Sequence, residues 1–215
     1  MKKGIWIIIV LAVLGGLYFL FSQGGTKIEP AFEVGVLHPL DNIKGLPAQA
    51  GNASSTIVLM EYSDFQCPAC RTYYPVVRQI MQEFGDKITL VYRHFPLTGI
   101  HANAEFAARA AEAASKQGKF WEMHDLLFEK QNEWASSANV SEIFESYAKL
   151  LDLNIDQFRV DWKSEGVKNF VSAQRMHALR SGLQGTPSFF INGKQIQNPS
   201  SVDDFRKVIT EALAK

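Results

Sequence analysis

The hydrophobic and polar positions divide the chain into an uncharged N-terminal run and a longer region of short strand and helix patterns. Residues 5–21 hold no charged side chain. Residues 57–62 form a near-continuous apolar run with several β-preferring side chains, which predicts a central strand covered on both faces. Residues 88–94 alternate and predict a second strand. Apolar residues recur at helical spacing from 73 to 84, so the two strands are expected to run parallel through a right-handed crossover.

Helical spacing dominates the second half of the chain before the pattern returns to strands. It continues from about residue 100 to residue 180. Residues 188–191 and 194–197 then predict a hairpin joined by an Asn-Gly turn. The last helix is predicted to begin at Ser201, with an aspartate three residues later in an arrangement that resembles a capping box. Strands and helices mixed in this order predict an α/β fold.

The chain contains only two cysteines, Cys67 and Cys70. They enclose Pro68 and Ala69 in a Cys-Pro-Ala-Cys sequence, which follows the first predicted strand and begins the predicted helix. A Cys-x-x-Cys motif at such a junction is typical of a redox site.

Two other interpretations of the cysteine pair were weighed. A structural zinc site needs four ligands, and no two of the five histidines lie three to five residues apart. A purely structural disulfide would close a four-residue loop worth only about 2 kcal/mol, against about 4.7 kcal/mol for a 100-residue loop. A catalytic dithiol is therefore favoured.

The local sequence predicts different roles for the two cysteines. Pro68 suits the first position of a helix, which places Cys67 at the N-cap. Free backbone N–H groups and the helix dipole would lower its pKa from about 8.5 towards roughly 3.5–7.5. We therefore predict that Cys67 is the exposed nucleophile and that Cys70, one turn on, is the more buried resolving thiol. Asp64 is predicted to cap the turn before them.

Four segments together resemble the DsbA family of thiol–disulfide oxidoreductases. They are residues 61–70, 101–104, 118–124 and 185–193, and the resemblance covers roughly residues 45–215. It implies a thioredoxin-like α/β fold with an inserted helical domain, which would explain the long separation between the cysteines and the last of these segments.

The resemblance also implies further site residues. It predicts a cis peptide bond between Thr186 and Pro187 beside the cysteines, with the Thr186 backbone pairing with an extended substrate and its hydroxyl close to the sulfurs. Glu61 would be a buried acid that moves the proton of Cys70, although the sequence also allows an edge-facing or capping charge. Ala69 stands where many members of the family carry histidine, and this departure weakens the expectation of a very strongly oxidising potential.

The predicted organisation has five parts. In chain order these are a membrane anchor or signal sequence at residues 1–24, a linker with an N-terminal strand or loop at 25–55, the first part of the thioredoxin-like domain at 56–99, the inserted helical domain at 100–180, and the second part of the thioredoxin-like domain, with the cis-proline loop, at 181–215.

The N-terminal run predicts export of the rest of the chain. As a helix it would span about 28 Å, close to the roughly 30 Å hydrocarbon core of a bilayer. Lys2 and Lys3 precede it, so the following domain is expected outside the cytoplasm. A cleaved signal peptide is the alternative, but the small residues at 22–24 lack an Ala-x-Ala pattern. We favour an uncleaved transmembrane helix, with the catalytic domain on the periplasmic or extracellular face, where disulfides form.

The composition of the chain limits the kinds of binding partner that we expect. The 215 residues carry 22 basic and 22 acidic side chains, and no basic run suggests nucleic-acid binding. No metal or organic cofactor is expected, since a Cys67–Cys70 disulfide would be the redox group. The resemblance implies a monomeric oxidase that donates this disulfide to reduced secreted or membrane proteins. A membrane partner of the DsbB or quinone-reductase kind would reoxidise it.

Three alternatives stay open at this point. The same chemistry could run as a membrane-anchored reductase or isomerase, because the sequence does not determine the direction of electron flow. The fold could instead serve as a non-catalytic peptide-binding or chaperone module. A relative that acts on glutathione conjugates is disfavoured, since such proteins lack the paired cysteines.

Overall fold

The computed structural model describes residues 48–214. The predicted membrane anchor or signal sequence at residues 1–24 and the predicted linker up to residue 47 lie outside the described residues. In the described part, the strands are β1 (Ala48–Gly51), β2 (Val58–Ser63), β3 (Thr89–His94), β4 (Ser188–Ile191) and β5 (Lys194–Gln195). The helices are α1 (Pro68–Phe84), α2 (Ala104–Ser115), α3 (Phe120–Glu129), α4 (Gln131–Trp134), α5 (Val140–Leu150), α6 (Ile155–Lys163), α7 (Glu165–Arg180) and α8 (Val202–Leu213).

The strands form one mixed sheet in the order β1-β3-β2-β4-β5. β2 runs parallel to β3, as the sequence predicts, and antiparallel to β4. All of β2 after its first residue is buried, because helices cover both faces of the central strands. The thioredoxin-like α/β fold is therefore confirmed.

Helix α1 makes the crossover between β2 and β3. It begins at Pro68 and runs as one helix through Pro75 to Phe84, and Gly85 follows it as the C-cap, at the predicted end. Val77 and Ile80 are buried on its sheet-facing side. They pack with α8 and the sheet in one apolar cluster, which also includes Leu59, Leu90, Phe189, Phe205 and Ile209.

The other face of the sheet packs against α7. Met60, Tyr62, Val91, Ala178 and Phe190 form the apolar cluster there. A third and larger cluster fills the helical region between β3 and β4, and it reaches Cys70 on α1 and Tyr92 on β3. The cysteine pair therefore lies where the helical region meets the central strands.

Two local predictions near the C-terminus are also confirmed. Asn192 and Gly193 both have positive φ, as an Asn-Gly hairpin turn requires, and they join β4 to β5. Ser201 is the N-cap of α8, and its hydroxyl accepts a hydrogen bond from the backbone N–H of Asp204. No helix within residues 48–214 combines the length and the apolar character that crossing a membrane requires.

Candidate active site

The two cysteines lie at the start of α1, at the carboxyl end of β2. Cys67 is the N-cap residue with extended backbone angles, and Pro68 occupies the first turn, as predicted. Both cysteines are free thiols, the reduced form of the pair. Cys70 has no exposed surface and Cys67 keeps 6%. The predicted order of accessibility is right, but Cys67 is largely buried rather than exposed.

Cys67 packs in the apolar cluster of the helical region and also contacts the loop before β4. This loop contains the predicted cis peptide bond between Thr186 and Pro187. The Cys67 Sγ donates a hydrogen bond to the backbone carbonyl of Thr186, with 3.6 Å between sulfur and oxygen. The Thr186 hydroxyl is buried and has no hydrogen-bond partner of normal geometry within residues 48–214. It lies near both sulfurs and favours the thiolate form of each.

The environment separates the pKa values of the two thiols. The Cys70 thiol, through a hydrogen bond to Cys67, is the main cause that lowers the pKa of Cys67 to about 5. The hydroxyl of Thr186 and the backbone N–H groups of Cys70 and Ala69 add to this shift, and burial opposes it. Burial, together with the charge of Cys67, raises the pKa of Cys70 well above its usual value. At neutral pH, Cys67 is therefore the thiolate and Cys70 the thiol, an arrangement that suits a nucleophile and a resolving partner.

The low pKa of Cys67 predicts a pH-dependent stability of the reduced protein. Between about pH 5 and pH 9 the folded reduced protein binds fewer protons at Cys67 than the unfolded chain does. Its free energy of unfolding should therefore rise with pH across this window, and this stabilisation is lost as the pH falls through about 5. Thermal unfolding of the reduced and oxidised forms at several pH values measures the effect.

The oxidised form is the internal control for this prediction. Its Cys67 has no proton to lose, so only the difference between the two forms reports the thiolate. Glu61 acts in the opposite direction, because its raised pKa makes the folded state bind more protons between about pH 4.5 and pH 7. That contribution is present in both forms and cancels in the difference. A difference that stays constant with pH would contradict the low pKa of Cys67.

Glu61 is buried in the central strand, with 3% of its surface exposed. Its neighbours across the sheet are Tyr92 on β3 and Phe189 on β4. Burial raises its pKa to about 7, and the nearby Ser63 hydroxyl opposes the shift. The alternative of an edge-facing charge is therefore wrong.

A cavity of about 210 Å³ adjoins Glu61. Tyr74, Val77, Trp121 and His124 are among the side chains that line it. The cavity therefore lies next to the Glu61 carboxyl, on the face of the sheet that α1 and α3 cover.

Asp64 holds the turn that precedes the cysteines. One carboxylate oxygen accepts from the backbone N–H of Gln66 at 2.8 Å, as expected for the predicted turn cap. The other accepts from the backbone N–H of Leu97 at 2.9 Å and contacts His101 Nδ1 at 2.7 Å. Sequence reasoning missed these last two partners, which lie more than thirty positions away.

The helical region also supports the active-site turn. The buried side chain of Gln131 donates from Nε2 to the backbone carbonyls of Phe65, at 2.7 Å, and Cys67, at 3.0 Å. Gln66 donates to the carbonyl of Ala135 and accepts from the backbone N–H of Asn103. Neither glutamine was predicted from the sequence, because a single glutamine carries no motif.

Two open surface grooves lie beside Cys67. Gly185, Thr186, Pro187 and Gln195 line part of one groove, on the cis-proline side. Pro68, Arg71, Thr72, Gln131 and Asn132 line the other groove, at the start of α1. Each groove includes a neighbour of Cys67: Thr186, whose carbonyl bonds to its sulfur, or Pro68, which follows it in sequence.

Fold and site together define a class of protein. A mixed sheet carries a Cys-x-x-Cys pair at a helix N-terminus, opposite a cis-proline loop. This combination is that of a thioredoxin-like dithiol protein.

Comparison with known proteins identifies the family. The family model described as thioredoxin matches residues 46–211. A probable disulfide bond formation protein D from Bacillus cereus is 32% identical over 174 residues, which cover 77% of this chain and 78% of that protein. The chain therefore belongs to the thioredoxin family.

Other matches extend over different proportions of their own chains. The Na(+)/H(+) antiporter NhaA 3 of Salinispora tropica is 35% identical over 164 residues, which cover 76% of this chain but only 24% of the antiporter. The chain thus spans about a quarter of the antiporter relatives that it matches. The crystal structure of oxidised BdbD from Bacillus subtilis shares the fold with a TM-score of 0.71 and 22% identity, over 85% of this chain and all of that one.

Proposed function

We propose that the protein is an extracytoplasmic dithiol oxidase that donates a Cys67–Cys70 disulfide to reduced proteins. The observation that carries this proposal is the separation of the two pKa values, with that of Cys67 lowered to about 5 and that of Cys70 raised. A stabilised thiolate stabilises the reduced form, and a disulfide whose reduced form is stabilised is a strong oxidant. The Bacillus cereus relative, named as a disulfide bond formation protein, supports the same direction.

The proposed reaction has two exchange steps. A substrate thiolate attacks Cys67 Sγ, a substrate–Cys67 disulfide forms, and the Cys67–Cys70 bond breaks with Cys70 leaving as a thiolate. A second substrate thiolate then attacks the substrate sulfur of this mixed disulfide, which forms the substrate disulfide and releases Cys67. The substrate loses two electrons and the Cys67–Cys70 disulfide gains them to become the dithiol, so no metal or organic cofactor takes part.

The surface around Cys67 suits an extended polypeptide substrate. The carbonyl of Thr186 occupies the edge of the groove beside Cys67, where backbone pairing with a peptide is available. Reduced secreted or membrane proteins are the proposed substrates. Residues 100–180 are the proposed inserted helical domain, whose Gln131 supports the active-site turn.

The proposed location rests on the sequence of residues 5–21, which would anchor a monomer in the cell membrane. The same anchor would hold the dithiol near a membrane partner of the DsbB or quinone-reductase kind. Such a partner would accept two electrons from the reduced pair and restore the disulfide.

The redox equilibrium of the full chain in detergent, against reduced and oxidised glutathione, tests the proposal. We expect a reduction potential at or above about −180 mV, the range of enzymes that introduce or rearrange disulfides. A potential near about −270 mV, that of thioredoxin, would overturn the oxidase function and favour the membrane-anchored reductase. Ala69 stands between the cysteines where many members of the DsbA family carry histidine. This departure weakens the expectation of a very strongly oxidising potential and is the sequence feature that favours the reductase alternative.

A further inference from the structure

We propose that the cavity beside Glu61 binds a small alkylammonium ion, whose charge pairs with the Glu61 carboxylate and whose apolar body lies against aromatic side chains. The inference goes beyond the proposed dithiol function, because no thiol exchange takes part in the binding. The cavity of about 210 Å³ shares no lining residue with the two grooves beside Cys67.

The cavity has the size of a small organic molecule and is accessible from solvent. A protein cavity of about 150 Å³ with apolar walls is large enough to bind benzene. Arg78 lines this cavity and has 53% of its side chain exposed, so a ligand can enter beside it. Apolar side chains from four elements form other parts of the lining: Ala50 on β1, Val77 and Met81 on α1, Leu90 on β3 and Phe128 on α3.

Aromatic side chains from α1 and α3 form one continuous wall of the cavity. The His124 ring has its centroid 5.1 Å from that of Trp121 and 5.0 Å from that of Phe128. The Tyr74 ring extends the wall, with its centroid 5.7 Å from that of His124. A cation within about 6 Å of a tryptophan or tyrosine centroid is attracted by the negative face of the ring. The wall therefore suits an organic cation.

The Glu61 carboxyl lies in this cavity without a partner among residues 48–214. Glu61 is 3% exposed and belongs to the lining of the cavity. Ser63, two positions along β2, and Tyr92, opposite Glu61 on β3, are the hydroxyl residues beside it. Neither hydroxyl makes a hydrogen bond of normal geometry in this part of the chain. A buried polar group without a partner costs free energy, so a ligand that pairs with this carboxyl would be stabilised.

The charges at the opening favour a positive ligand. Arg78 is already paired with Glu129, at 3.2 Å between Nη1 and Oε1. Asp125 adds a second carboxylate, whose Oδ1 lies 2.9 Å from His124 Nδ1. One guanidinium and two carboxylates at the opening, with Glu61 inside, give a net negative site. An anion would be repelled there, and an uncharged molecule would leave the Glu61 carboxylate unpaired.

Glu61 is the group that changes the charge of the cavity near neutral pH. The titratable or charged side chains around it in the described residues are Cys70, Tyr74 and Arg78 on α1, Tyr92 on β3, and His124, Asp125 and Glu129 on α3. The pKa values of Cys70, both tyrosines and Arg78 are raised, and burial lowers that of His124. The pKa of Glu61 is about 7.

Isothermal titration calorimetry with benzylamine tests the proposal. The reduced full chain is titrated in a non-ionic detergent and phosphate buffer. With a pKa of about 7, roughly a tenth of Glu61 is ionised at pH 6 and roughly nine-tenths at pH 8, so the affinity should rise about tenfold between them. Benzyl alcohol has a similar size and no charge. It should bind at least about tenfold more weakly at pH 8, with no dependence on pH.

Variants separate the charge from the aromatic wall. Glu61→Gln should lower the affinity for benzylamine at pH 8 at least about tenfold and remove its pH dependence. Trp121→Leu should weaken binding about threefold or more at both pH values. Glu83→Gln is the matched control, because Glu83 is another α1 glutamate, paired with Arg206 at the surface. It should leave the affinity and its pH dependence unchanged, and melting temperatures show whether each variant folds.

Nuclear magnetic resonance locates the bound ion. The indole N–H of Trp121 donates to the carbonyl of Gln49 at 2.8 Å, and its signal should shift on titration with benzylamine. The indole N–H of Trp134, which donates to the carbonyl of Leu127 and does not line the cavity, should stay in place. n-Butylamine and an end-blocked peptide with one lysine then distinguish a free amine from the side chain of a polypeptide. Competition by the peptide identifies a lysine side chain as the ligand, and competition by n-butylamine alone identifies a free amine.

The outcomes are independent of the thiol chemistry. Equal affinities for benzylamine and benzyl alcohol would overturn the proposal without using any variant. A benzylamine affinity that is constant between pH 6 and pH 8, or binding that leaves the Trp121 signal in place, would overturn it as well. The equilibrium with glutathione tests the dithiol function separately, so either proposal can fail while the other stands.

Discussion

Replacing Cys67 with serine should abolish thiol–disulfide exchange, while Cys70→Ser, which cannot form the internal disulfide, should stop its reaction with oxidised glutathione at the Cys67–glutathione mixed disulfide. The two outcomes differ because Cys67 is the accessible thiolate, with 6% exposure and a pKa of about 5, and Cys70 is fully buried with a raised pKa. Without Cys67 no sulfur can be attacked by an outside thiolate. Without Cys70 the mixed disulfide has no internal thiol to resolve it.

The measurement is oxidation of a reduced, unfolded model protein by stoichiometric amounts of each preoxidised or glutathione-treated variant. Cys67→Ser should yield no product disulfide and no mixed disulfide. Cys70→Ser treated with oxidised glutathione should accumulate the Cys67–glutathione mixed disulfide, which a reductant releases. Full biological complementation by Cys67→Ser would instead support the non-catalytic peptide-binding or chaperone alternative.

Removing the carboxylate of Asp64 should cause a large loss of stability. Asp64 has 1% exposure and accepts hydrogen bonds from two backbone N–H groups, those of Gln66 and Leu97. Asp64→Ala leaves both donors unpaired in a buried position, at about 1–3 kcal/mol each, so the free energy of unfolding should fall by about 2–6 kcal/mol. The contact with His101 is lost as well.

Urea denaturation of the reduced protein measures this loss. Asp64→Asn keeps one acceptor oxygen and should lose less stability than Asp64→Ala. Asp156→Ala is the matched control, because this aspartate pairs with Arg159 on the surface with 93% of its side chain exposed, and its removal should change the midpoint little. An equal midpoint shift for Asp64→Ala and Asp156→Ala would show that the buried carboxylate does not support the fold.

The sequence alone predicted the features whose causes are local. Pro68 at the first turn and Cys67 at the N-cap follow from the chemistry of a few neighbouring residues, and so do the Asn-Gly turn and the Ser201 cap. The parallel pairing of β2 and β3 followed from the hydrophobic pattern and the handedness of a crossover. The cis bond at Pro187 and the overall fold came from resemblance to a family, since the residues by themselves allow an ordinary turn.

Only the tertiary structure decided which side chains meet around the cysteines. Asp64 reaches Leu97 and His101, and Gln131 reaches the carbonyl of Cys67 across 64 positions. Cys67 is buried because it packs in the helical-region cluster and contacts the cis-proline loop, neither of which the helix N-terminus alone specifies. The physical reason is that hydrophobic periodicity specifies which face of a helix or strand is buried. The desolvation and the hydrogen-bond partners of a polar side chain on that face depend instead on the residues of other elements that pack against it. Burial of Glu61, and hence its pKa of about 7, is therefore a property of the assembled sheet and helices.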